Sequence, residues 1–300
     1  MESIYLKRYE RNPILLPKEE NQWECEQVCN PAVAIYNGKV YILYRAGGKD
    51  KMKSSSGWPV SRLGLAISDD GFNIEYRSAE PVFKPEEENW IDVDGVEDPR
   101  ITKIGDIYYI VYVLTGFTWD RIALATTKDF KEFKRYGVIM KDIAQRTSAL
   151  FPEKFDDKLI LIHRIIPSIW FSKTVDFKKF TNSKIILTPD VLPWCERKIG
   201  IAFPPIKVGD KWVMFFHGVD RYNIYRVGIC WLDGKNPYKV VKIQKEPVLV
   251  PEADYEKEGF TPNVVYPCGG IEKDEKILVY YGAADKYIAV AYIEKKKLEI

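Results

Sequence analysis

The stretch PVFKPEEENWIDVDGVEDP, residues Pro81–Pro99, repeats a phrase found earlier in the chain as PILLPKEENQWECEQVCNP, residues Pro13–Pro31. The two copies are identical at seven of nineteen positions, and such internal likeness indicates a repeated structural module. The residue before the final Pro is Asn30 in the first copy and Asp98 in the second. Because an acid replaces an amide in a duplicated scaffold, Asp98 is the first candidate for a catalytic residue.

Outward from this phrase, one hairpin pattern recurs five times, with an apolar entry, a turn of Gly, Asp or Asn, a Lys and an aromatic-rich strand. The copies are Pro31–Arg45, Pro99–Val113, Pro152–Arg164, Pro204–His217 and Pro262–Tyr281. Their turns, 51 to 67 residues apart, centre near Gly38, Gly105, Asp156, Gly209 and Asp274. Each copy is followed by a second strand pair, and this period is typical of a four-stranded propeller blade.

These repeats predict an all-β chain, folded as one five-bladed β-propeller that forms a single domain over residues 1–300. The last repeat stops early, whereas Asn12–Leu15 resembles the outer-strand segments Glu80–Phe83 and Glu246–Leu249. We therefore expect the N-terminal strand to complete the fifth blade and close the ring, which removes exposed sheet edges. The alternative is a large β-sandwich, but a sandwich does not explain five similar units.

Composition excludes several functional classes. A net charge of +2 over 300 residues gives no electrostatic reason to expect a nucleic-acid partner. The five cysteines are scattered, without the spacing of a metal site, and predict a reduced, cytoplasmic chain with no metal. No apolar run is long enough to span a bilayer, and no nucleotide-binding fingerprint is present, so we expect neither a membrane partner nor an organic cofactor.

In a propeller, the ends of the inner strands surround one polar channel. Asp98 stands at the start of such a strand, and the repeat alignment gives it four counterparts, none of them acidic: Asn30, Phe151, Phe203 and Thr261. An Asp before Pro is also ordinary turn chemistry. Its place in a ring of charged and aromatic strand ends favours a catalytic role instead.

Other strand ends should converge on the same channel, among them Arg45, Arg164 and Asp285. Both histidines of the chain, His163 and His217, lie in this set, and we expect them at matching positions along the active site. A His in an apolar strand can instead be a core residue. Cations with His and hydroxyl groups can clamp an oxyanion such as phosphate. Candidates for this are Arg146, Arg164, Lys198 and Tyr225, although Arg146 and Lys198 could equally occupy solvated loops.

With these motifs in order along essentially the whole sequence, the chain resembles glycoside hydrolase family 130, the inverting β-mannoside phosphorylases with five-bladed propellers. The motifs are Asn30–Ala32, Tyr44–Arg45, Gly64–Ala66 with Ser68–Gly71, Gly95–Arg100, Ala149–Lys154, His163–Arg164, Pro204–Ile206, His217–Val219, Tyr225–Arg226 and Tyr280–Asp285. The resemblance implies a hexosyltransferase that converts short β-mannosides, either β-1,2-mannobiose or β-1,4-linked mannosides, reversibly to α-mannose 1-phosphate.

The resemblance also implies roles for individual residues. Asp98 is the general acid, which passes its proton through the 3-hydroxyl of the mannosyl residue, while inorganic phosphate attacks C1 as a co-substrate. Phosphate is bound by Arg146, Arg164, Lys198, His217 and Tyr225, and the glycoside by Asn30, Arg45 and Asp285. One departure is Ala46, where many relatives have an acidic residue after the Arg, with Asp50 further along.

Two other functions are left open by the sequence. An inverting β-mannoside hydrolase would require a second carboxylate that acts on water. A sugar-binding propeller without catalysis would require no acid at all. The expected partners are a small carbohydrate and phosphate, and a homo-oligomer is compatible with the sequence.

Overall fold

The computed structural model describes residues 3–49, 57–86, 94–116 and 119–300. Strands β1 to β21 of this described part span, in chain order, Lys7–Arg8, Gln27–Tyr36, Lys39–Gly47, Arg62–Ser68, Tyr76–Arg77, Gly95–Ile104, Ile107–Thr115, Arg121–Thr127, Lys134–Val138, Ser148–Leu150, Leu159–Ile165, Ser168–Thr174, Phe180–Leu187, Lys198–Ile201, Ile206–Val208, Lys211–Val219, Tyr225–Asp233, Val240–Ile243, Val265–Lys273, Lys276–Ala283 and Tyr287–Glu294. Over the same residues, helical structure is limited to a single turn, α1 (Asp254–Lys257), and two 3₁₀ turns (Pro189–Val191 and Lys295–Leu298).

The strands form five antiparallel sheets that are arranged as the blades of a propeller. Blades one to three are β2–β5, β6–β9 and β10–β13, blade four is β14–β16–β17–β18 with β15 beside β16, and blade five is β19–β20–β21–β1. Around the centre, β2 contacts β6 and β19, and β10 contacts β6 and β14, while β16 contacts β19. The predicted all-β, five-bladed propeller is confirmed, and the β-sandwich alternative is wrong.

The innermost hairpin of each blade turns where the repeats predict. Gly105 and Gly209 have φ values of 60° and 57°, and each opens a two-residue turn with the φ pattern of type II′. The other three turns have two successive residues with positive φ, as in type I′: Asn37–Gly38, Asp156–Asp157 and Asp274–Glu275. Turns of these two types match the right-handed twist of the strands that they connect.

The N-terminal segment closes the ring. Lys7 and Arg8 of β1 pair with Tyr292 and Ala291 of β21, so β1 is the outer strand of blade five. Leu15 forms a bridge with Ile288 of β21. In two other blades the same bridge joins the pairs predicted from their likeness to Asn12–Leu15: Phe83 with Leu63, and Leu249 with Val227. The expected closure by the N-terminal strand is confirmed.

A separate hydrophobic cluster fills each gap between neighbouring blades. Phe203, Phe215 and Tyr281, for example, lie between blades four and five, and Phe151 and Phe171 lie between blades three and four. Further clusters separate the remaining pairs of blades. Since the blades are covered on both faces, most aromatic side chains belong to this core, and each Phe that is fully buried contributes about 2–3 kcal/mol. Polar side chains are left for the ends of the inner strands.

Candidate active site

Asn30 and Asp98 occupy equivalent irregular positions in two neighbouring inner strands. The pairing of β2 with β3 shifts between Cys29 and Ala32, and the pairing of β6 with β7 shifts between Glu97 and Arg100. At these bulges Asn30 and Asp98 have φ values of 49° and 47°, a left-handed conformation that Asn and Asp tolerate better than most residues. The Asn30 Nδ2 atom donates a 2.7 Å hydrogen bond to Asp98 Oδ1, so the two repeated phrases meet at one point.

A cavity of about 540 Å³ opens at this end of the inner strands. Its lining includes Asp98 together with Asn30, Arg45, Arg146, Arg164, Lys198, Tyr225 and Asp285. The structure therefore brings together eight of the nine residues to which the family resemblance assigns a role; the ninth, His217, lies behind the wall. Further lining residues are Gln27, Trp58, Pro59, Asp94, Glu97, Thr115, Gly116, Asp120, Thr261, Val264 and Tyr266.

Asp98 is buried in strongly cationic surroundings. The Arg45 Nη1 atom lies 3.4 Å from Asp98 Oδ1, and Arg100 Nη1 donates a 2.8 Å hydrogen bond to the Asp98 carbonyl oxygen. Burial by itself raises the pKa of a carboxyl group, but the charges of Arg45, Arg146 and Arg100 outweigh it and hold the pKa of Asp98 below its ordinary value. The protein's own charges thus favour the carboxylate form of Asp98.

A second buried carboxylate, Glu97, lies beside Asp98. Its Oε1 atom is 2.9 Å from Arg45 Nη2 and accepts a 2.9 Å hydrogen bond from Ser61 Oγ, while its Oε2 atom contacts Arg146 Nη2. Arg146 also pairs with Asp120, where Nη1 lies 3.1 Å from Oδ2. Arg146 is thus a wall residue held by two acids rather than a solvated loop cation.

The remaining cations of the cavity differ because no described residue supplies them with an acidic partner. Among the residues that the structure describes, no carboxylate forms an ion pair with Arg164 or Lys198, and the Nε atom of Arg164 is buried without a hydrogen bond. Burial, followed by the charges of Arg164, Arg197 and Arg146, lowers the pKa of Lys198 to about 8. Desolvation of cations without a counter-ion is costly, and an oxyanion bound between the buried Arg164 and the half-buried Lys198 offsets that cost.

Three rings complete this side of the site. The Lys198 Nζ atom lies 5.5 Å from the centre of the Tyr225 ring, and the His217 ring lies 4.6 Å from that of Tyr266. His217 Nε2 is 3.4 Å from Arg164 Nη1. Burial and the neighbouring charge of Arg164 hold the pKa of His217 well below its ordinary value, so His217 is a neutral support for Arg164.

The expectation that His163 lines the site is wrong. His163 Nε2 forms a 2.8 Å hydrogen bond with Ser172 Oγ inside the blade, and burial lowers the pKa of His163 to about 4. Its neighbour Arg164 is the true counterpart of His217, since Arg164 lies seven residues after Asp157 and His217 lies seven after Asp210. Successive strand residues face opposite ways, so an alignment error of one residue put His163 on the wrong side.

The predicted counterpart of Asp98 in the fifth blade is also wrong. Thr261 precedes β19, whereas the irregular pairing of that strand falls between Pro267 and Gly269. Thr261 nevertheless lines the cavity, where its Oγ1 atom donates a 2.6 Å hydrogen bond to Asp285 Oδ2. Burial raises the pKa of Asp285, which distinguishes this acid from Asp98.

The departure at Ala46 has little direct bearing on the cavity. Ala46 is fully buried in the cluster between blades five and one, so its side chain faces away from the lining residues. The next residue, Gly47, pairs with Gln27 of β2, and a Cβ atom at Gly47 would lie 2.7 Å from Gln27 Nε2. The Gln27 amide, which lines the cavity, therefore fills the space beside Gly47. Asp50 lies outside the described residues.

Glu97, Asp120, Gln27 and Tyr266 are among the polar lining residues that the sequence analysis did not assign. Glu97 lies within the quoted motif Gly95–Arg100, so its neighbour Asp98 could have pointed to it. Tyr266 accepts a 3.1 Å hydrogen bond from Arg100 Nη2 across blades, a contact without any local sequence signal.

Within the described ranges, His, Cys, Asp and Glu side chains form no group of three or more that could hold a metal ion. The same ranges contain no helix long and apolar enough to cross a membrane.

The fold and the site define a propeller enzyme in which the buried Asp98 shares a cavity with the cations Arg146, Arg164 and Lys198. The sequence matches the profile of glycoside hydrolase family 130, described as β-1,4-mannooligosaccharide phosphorylase, over residues 6–299. The chain therefore belongs to glycoside hydrolase family 130. The family predicted from the sequence is confirmed, and so is the predicted enzyme class, a glycoside phosphorylase acting on β-mannosides.

Individual relatives are similar over their whole length. The chain is 42% identical over 299 residues to a 1,2-β-oligomannan phosphorylase of Thermoanaerobacter sp., with 99% of each chain covered. It is 43% identical over 307 residues to a β-1,2-mannobiose phosphorylase of the same organism, which covers 98% of this chain and 99% of the relative. Among solved structures, β-1,2-mannobiose phosphorylase from Listeria innocua in complex with β-1,2-mannobiose has a TM-score of 0.85 at 27% identity, with 98% of each chain covered.

Proposed function

We propose that this protein catalyses reversible, inverting phosphorolysis of short β-mannosides and forms α-mannose 1-phosphate. The observation that carries the proposal is the pair formed by the buried Arg164 and the half-buried Lys198, which lacks carboxylate partners in the described part of the chain and shares a cavity with Asp98. Such a group binds an oxyanion through charge-assisted hydrogen bonds. Phosphate is itself the nucleophile, so the enzyme requires no second carboxylate to activate water.

In this reaction a phosphate oxygen forms a bond to C1 of the mannosyl residue as the bond from C1 to the glycosidic oxygen breaks, and the configuration inverts. Asp98 supplies the proton that the departing oxygen takes, by way of the mannosyl 3-hydroxyl. Arg146, Arg164, Lys198 and Tyr225 hold phosphate, with His217 behind Arg164. Asn30, Arg45 and Asp285 bind the glycoside.

The charge of the co-substrate also prepares the acid. The pKa of Asp98 is held low by Arg45, Arg146 and Arg100, yet a general acid must carry its proton when the substrates are bound. Phosphate that binds at Arg146 brings negative charge close to Asp98 and offsets that cation. The pKa of Asp98 then rises, so phosphate binding and protonation of the acid favour one another.

For the linkage, we propose β-1,2-mannobiose and short β-1,2-linked oligomannans as substrates. The two relatives that share 42% and 43% identity with this chain are named for β-1,2-linked substrates. A β-1,4-mannooligosaccharide phosphorylase of Ruminococcus albus shares 28% identity. We also place the enzyme in the cytoplasm, because its five cysteines are free thiols and four of them are buried.

The proposal is tested by incubating the protein with β-1,2-mannobiose and inorganic phosphate and following the products by phosphorus NMR. The expected products are α-mannose 1-phosphate and mannose, with β-1,4-mannobiose in parallel as the test of linkage. Release of free mannose at the same rate without phosphate would instead establish a hydrolase. A hydrolase would require a free carboxylate as base, whereas Glu97 and Asp120 both contact Arg146.

The variant Asp98→Asn separates catalysis from sugar binding. We expect turnover to fall by roughly 10²- to 10⁴-fold, the usual contribution of a general acid. Calorimetry should still detect binding of mannobiose to the variant. The matched control is Asp69→Asn, a change at an acid whose side chain is 58% exposed. If the protein were a non-catalytic sugar-binding propeller, neither the wild type nor Asp98→Asn would show turnover. Full turnover in Asp98→Asn would exclude Asp98 as the acid.

A further inference from the structure

One buried carboxylate joins the two halves of the cavity. Glu97 is only 6% exposed; its Oε1 atom lies 2.9 Å from Arg45 Nη2, and its Oε2 atom contacts Arg146 Nη2. We propose that Glu97 is a positioning residue that holds Arg45 of the glycoside side and Arg146 of the phosphate side in one fixed relation. The proposal rests on the proposed function, because that function assigns the two arginines to different substrates.

The bulge in β6 explains how Glu97 reaches this place. Adjacent residues of a regular strand face opposite sides, so Glu97 and Asp98 would not share a cavity. The pairing of β6 with β7 shifts between Glu97 and Arg100, and Asp98 has a φ of 47°. As a result both acids line the same cavity, and Ser61 Oγ, 2.9 Å from Glu97 Oε1, fixes the Glu97 rotamer from blade one.

The same contacts give Glu97 an electrostatic effect on Asp98. The groups that face Asp98 are Arg45 from β3, Arg100 from β6, Arg146 from the segment before β10, Asp285 after β20, Tyr266 and Cys268 from β19, and Cys29 from β2. Glu97 neutralises part of the charge on Arg45 and Arg146. Without it these cations would attract the Asp98 carboxylate more strongly and lower the pKa of Asp98 further.

The variant Glu97→Gln tests both effects, since Gln retains the shape of Glu but not its charge. With calorimetry on inorganic phosphate alone and on β-1,2-mannobiose alone, we expect both affinities to fall by about tenfold or more. In phosphorolysis, the alkaline limb of the profile of kcat/KM against pH should move to lower pH by about half a unit or more. A residue that merely supports the fold would reduce activity without moving that limb.

Two further variants serve as controls. Glu97→Asp keeps the charge, so its alkaline limb should remain near that of the wild type even where the shorter side chain weakens binding. Asp120→Asn removes the charge of Asp120, the other acid that pairs with Arg146. Asp120 forms no ion pair with Arg45 among the described contacts. The variant should therefore change the affinity for phosphate while the affinity for mannobiose stays the same. Near-UV circular dichroism confirms that each variant is folded. If Glu97→Gln does not fold, the affinities for phosphate and for mannobiose are measured on Glu97→Asp instead.

The outcomes separate this inference from the proposed function. A wild type without phosphate-dependent turnover overturns the function, while the two binding measurements still report on the position of the arginines. If the wild type shows normal turnover, two results for Glu97→Gln would each overturn the role of Glu97. One is a loss of affinity for one ligand only, and the other is an unchanged alkaline limb in the profile of kcat/KM against pH.

Discussion

Lys198 is the residue at which the phosphate site can be weakened with least disturbance to the fold. Its ammonium group lies over the Tyr225 ring, and its pKa of about 8 shows how much burial and neighbouring cations disfavour its charge. For Lys198→Ala we expect the KM for phosphate to rise roughly 10- to 100-fold, the worth of a charge-assisted hydrogen bond. The KM for mannobiose should change far less, and initial rates over both substrates measure the difference.

Lys207→Ala is the matched control for Lys198→Ala. Lys207 also lies over an aromatic ring, that of Trp212, but it is half exposed and pairs with Glu153 on the surface. Its removal should leave both KM values unchanged. Equal weakening of both substrates in Lys198→Ala would contradict the assigned role of Lys198 in phosphate binding.

The lowered pKa of Lys198 also predicts a pH dependence. The protonated ammonium attracts phosphate, and this form is lost as the pH rises through about 8. The KM for phosphate should therefore increase between about pH 7 and pH 9, whereas a lysine with an ordinary pKa of about 10.4 would remain charged throughout. In Lys198→Arg the charge persists at every pH, so this increase should disappear. An identical increase in Lys198→Arg would assign the effect to another group.

At the scale of the elements, one fully buried carboxylate fastens the outer strand of the fifth blade. Glu256 of α1 accepts a 2.8 Å hydrogen bond from Arg8 Nε of β1. It also accepts a 2.8 Å hydrogen bond from the Tyr281 hydroxyl of β20. Arg8→Met leaves this carboxylate without its cation. Removal of one partner from a buried pair costs about 3–5 kcal/mol, so we expect a Tm several degrees lower in scanning calorimetry.

Arg221→Met provides the comparison for Arg8→Met. Arg221 pairs with Glu196 at 2.8 Å, a similar distance, but its side chain is 71% exposed. Exposed pairs contribute less than about 1 kcal/mol, so the Tm of this variant should stay near that of the wild type. A similar loss in both variants would show that the network around Glu256 has no special part in closing the blade.

At the scale of the whole molecule, the ring depends on the N-terminal segment. Ile4 and Leu6 belong to the cluster between blades four and five, and the Leu6 nitrogen donates a 2.9 Å hydrogen bond to the Val248 carbonyl oxygen of blade four. A chain that begins at Asn12 would lose these contacts and leave the edge of β21 unpaired at Ala291 and Tyr292. We expect a lower Tm and concentration-dependent association, since open strand edges pair with other molecules.

A chain that begins at Ile4 is the control for this deletion, since it retains Ile4, Leu6 and β1. It should keep both the Tm and the size of the full chain in light scattering. If the chain that begins at Asn12 matched the full chain in both measurements, the ring would have to be stable without its fourth strand in blade five.

Much of this architecture could be predicted from the sequence because its signals are local. A turn such as Asn37–Gly38 or Gly105–Asp106 specifies a hairpin through the φ values that its residues adopt, and five such hairpins at a regular spacing indicate five blades. Asp98 could be identified by comparing two copies of one phrase. The prediction of a single domain, the absence of a cofactor and the state of oligomerisation stay predictions.

The errors arose where a non-local contact or a register decides the outcome. The alternation of strand residues has a period of two, so a shift of one position moved the interpretation from Arg164 to His163. The bulge in β6 places Glu97 and Asp98 in the same cavity, although regular alternation would separate them. Glu97 was missed for that reason, and the misplaced counterpart Thr261 has the same kind of cause.

The sequence by itself determined the number of blades and the closing strand and singled out Asp98 as the candidate acid, because repeated local patterns carry that information. Only the tertiary structure decided which charges surround the acid. Arg45, Arg146, Arg164 and Lys198 come from blades one, three and four and the segments that lead into them, and their pairing or lack of pairing with acids depends on distances across the ring. Electrostatic interaction depends on separation in space, and no periodicity along a chain encodes it.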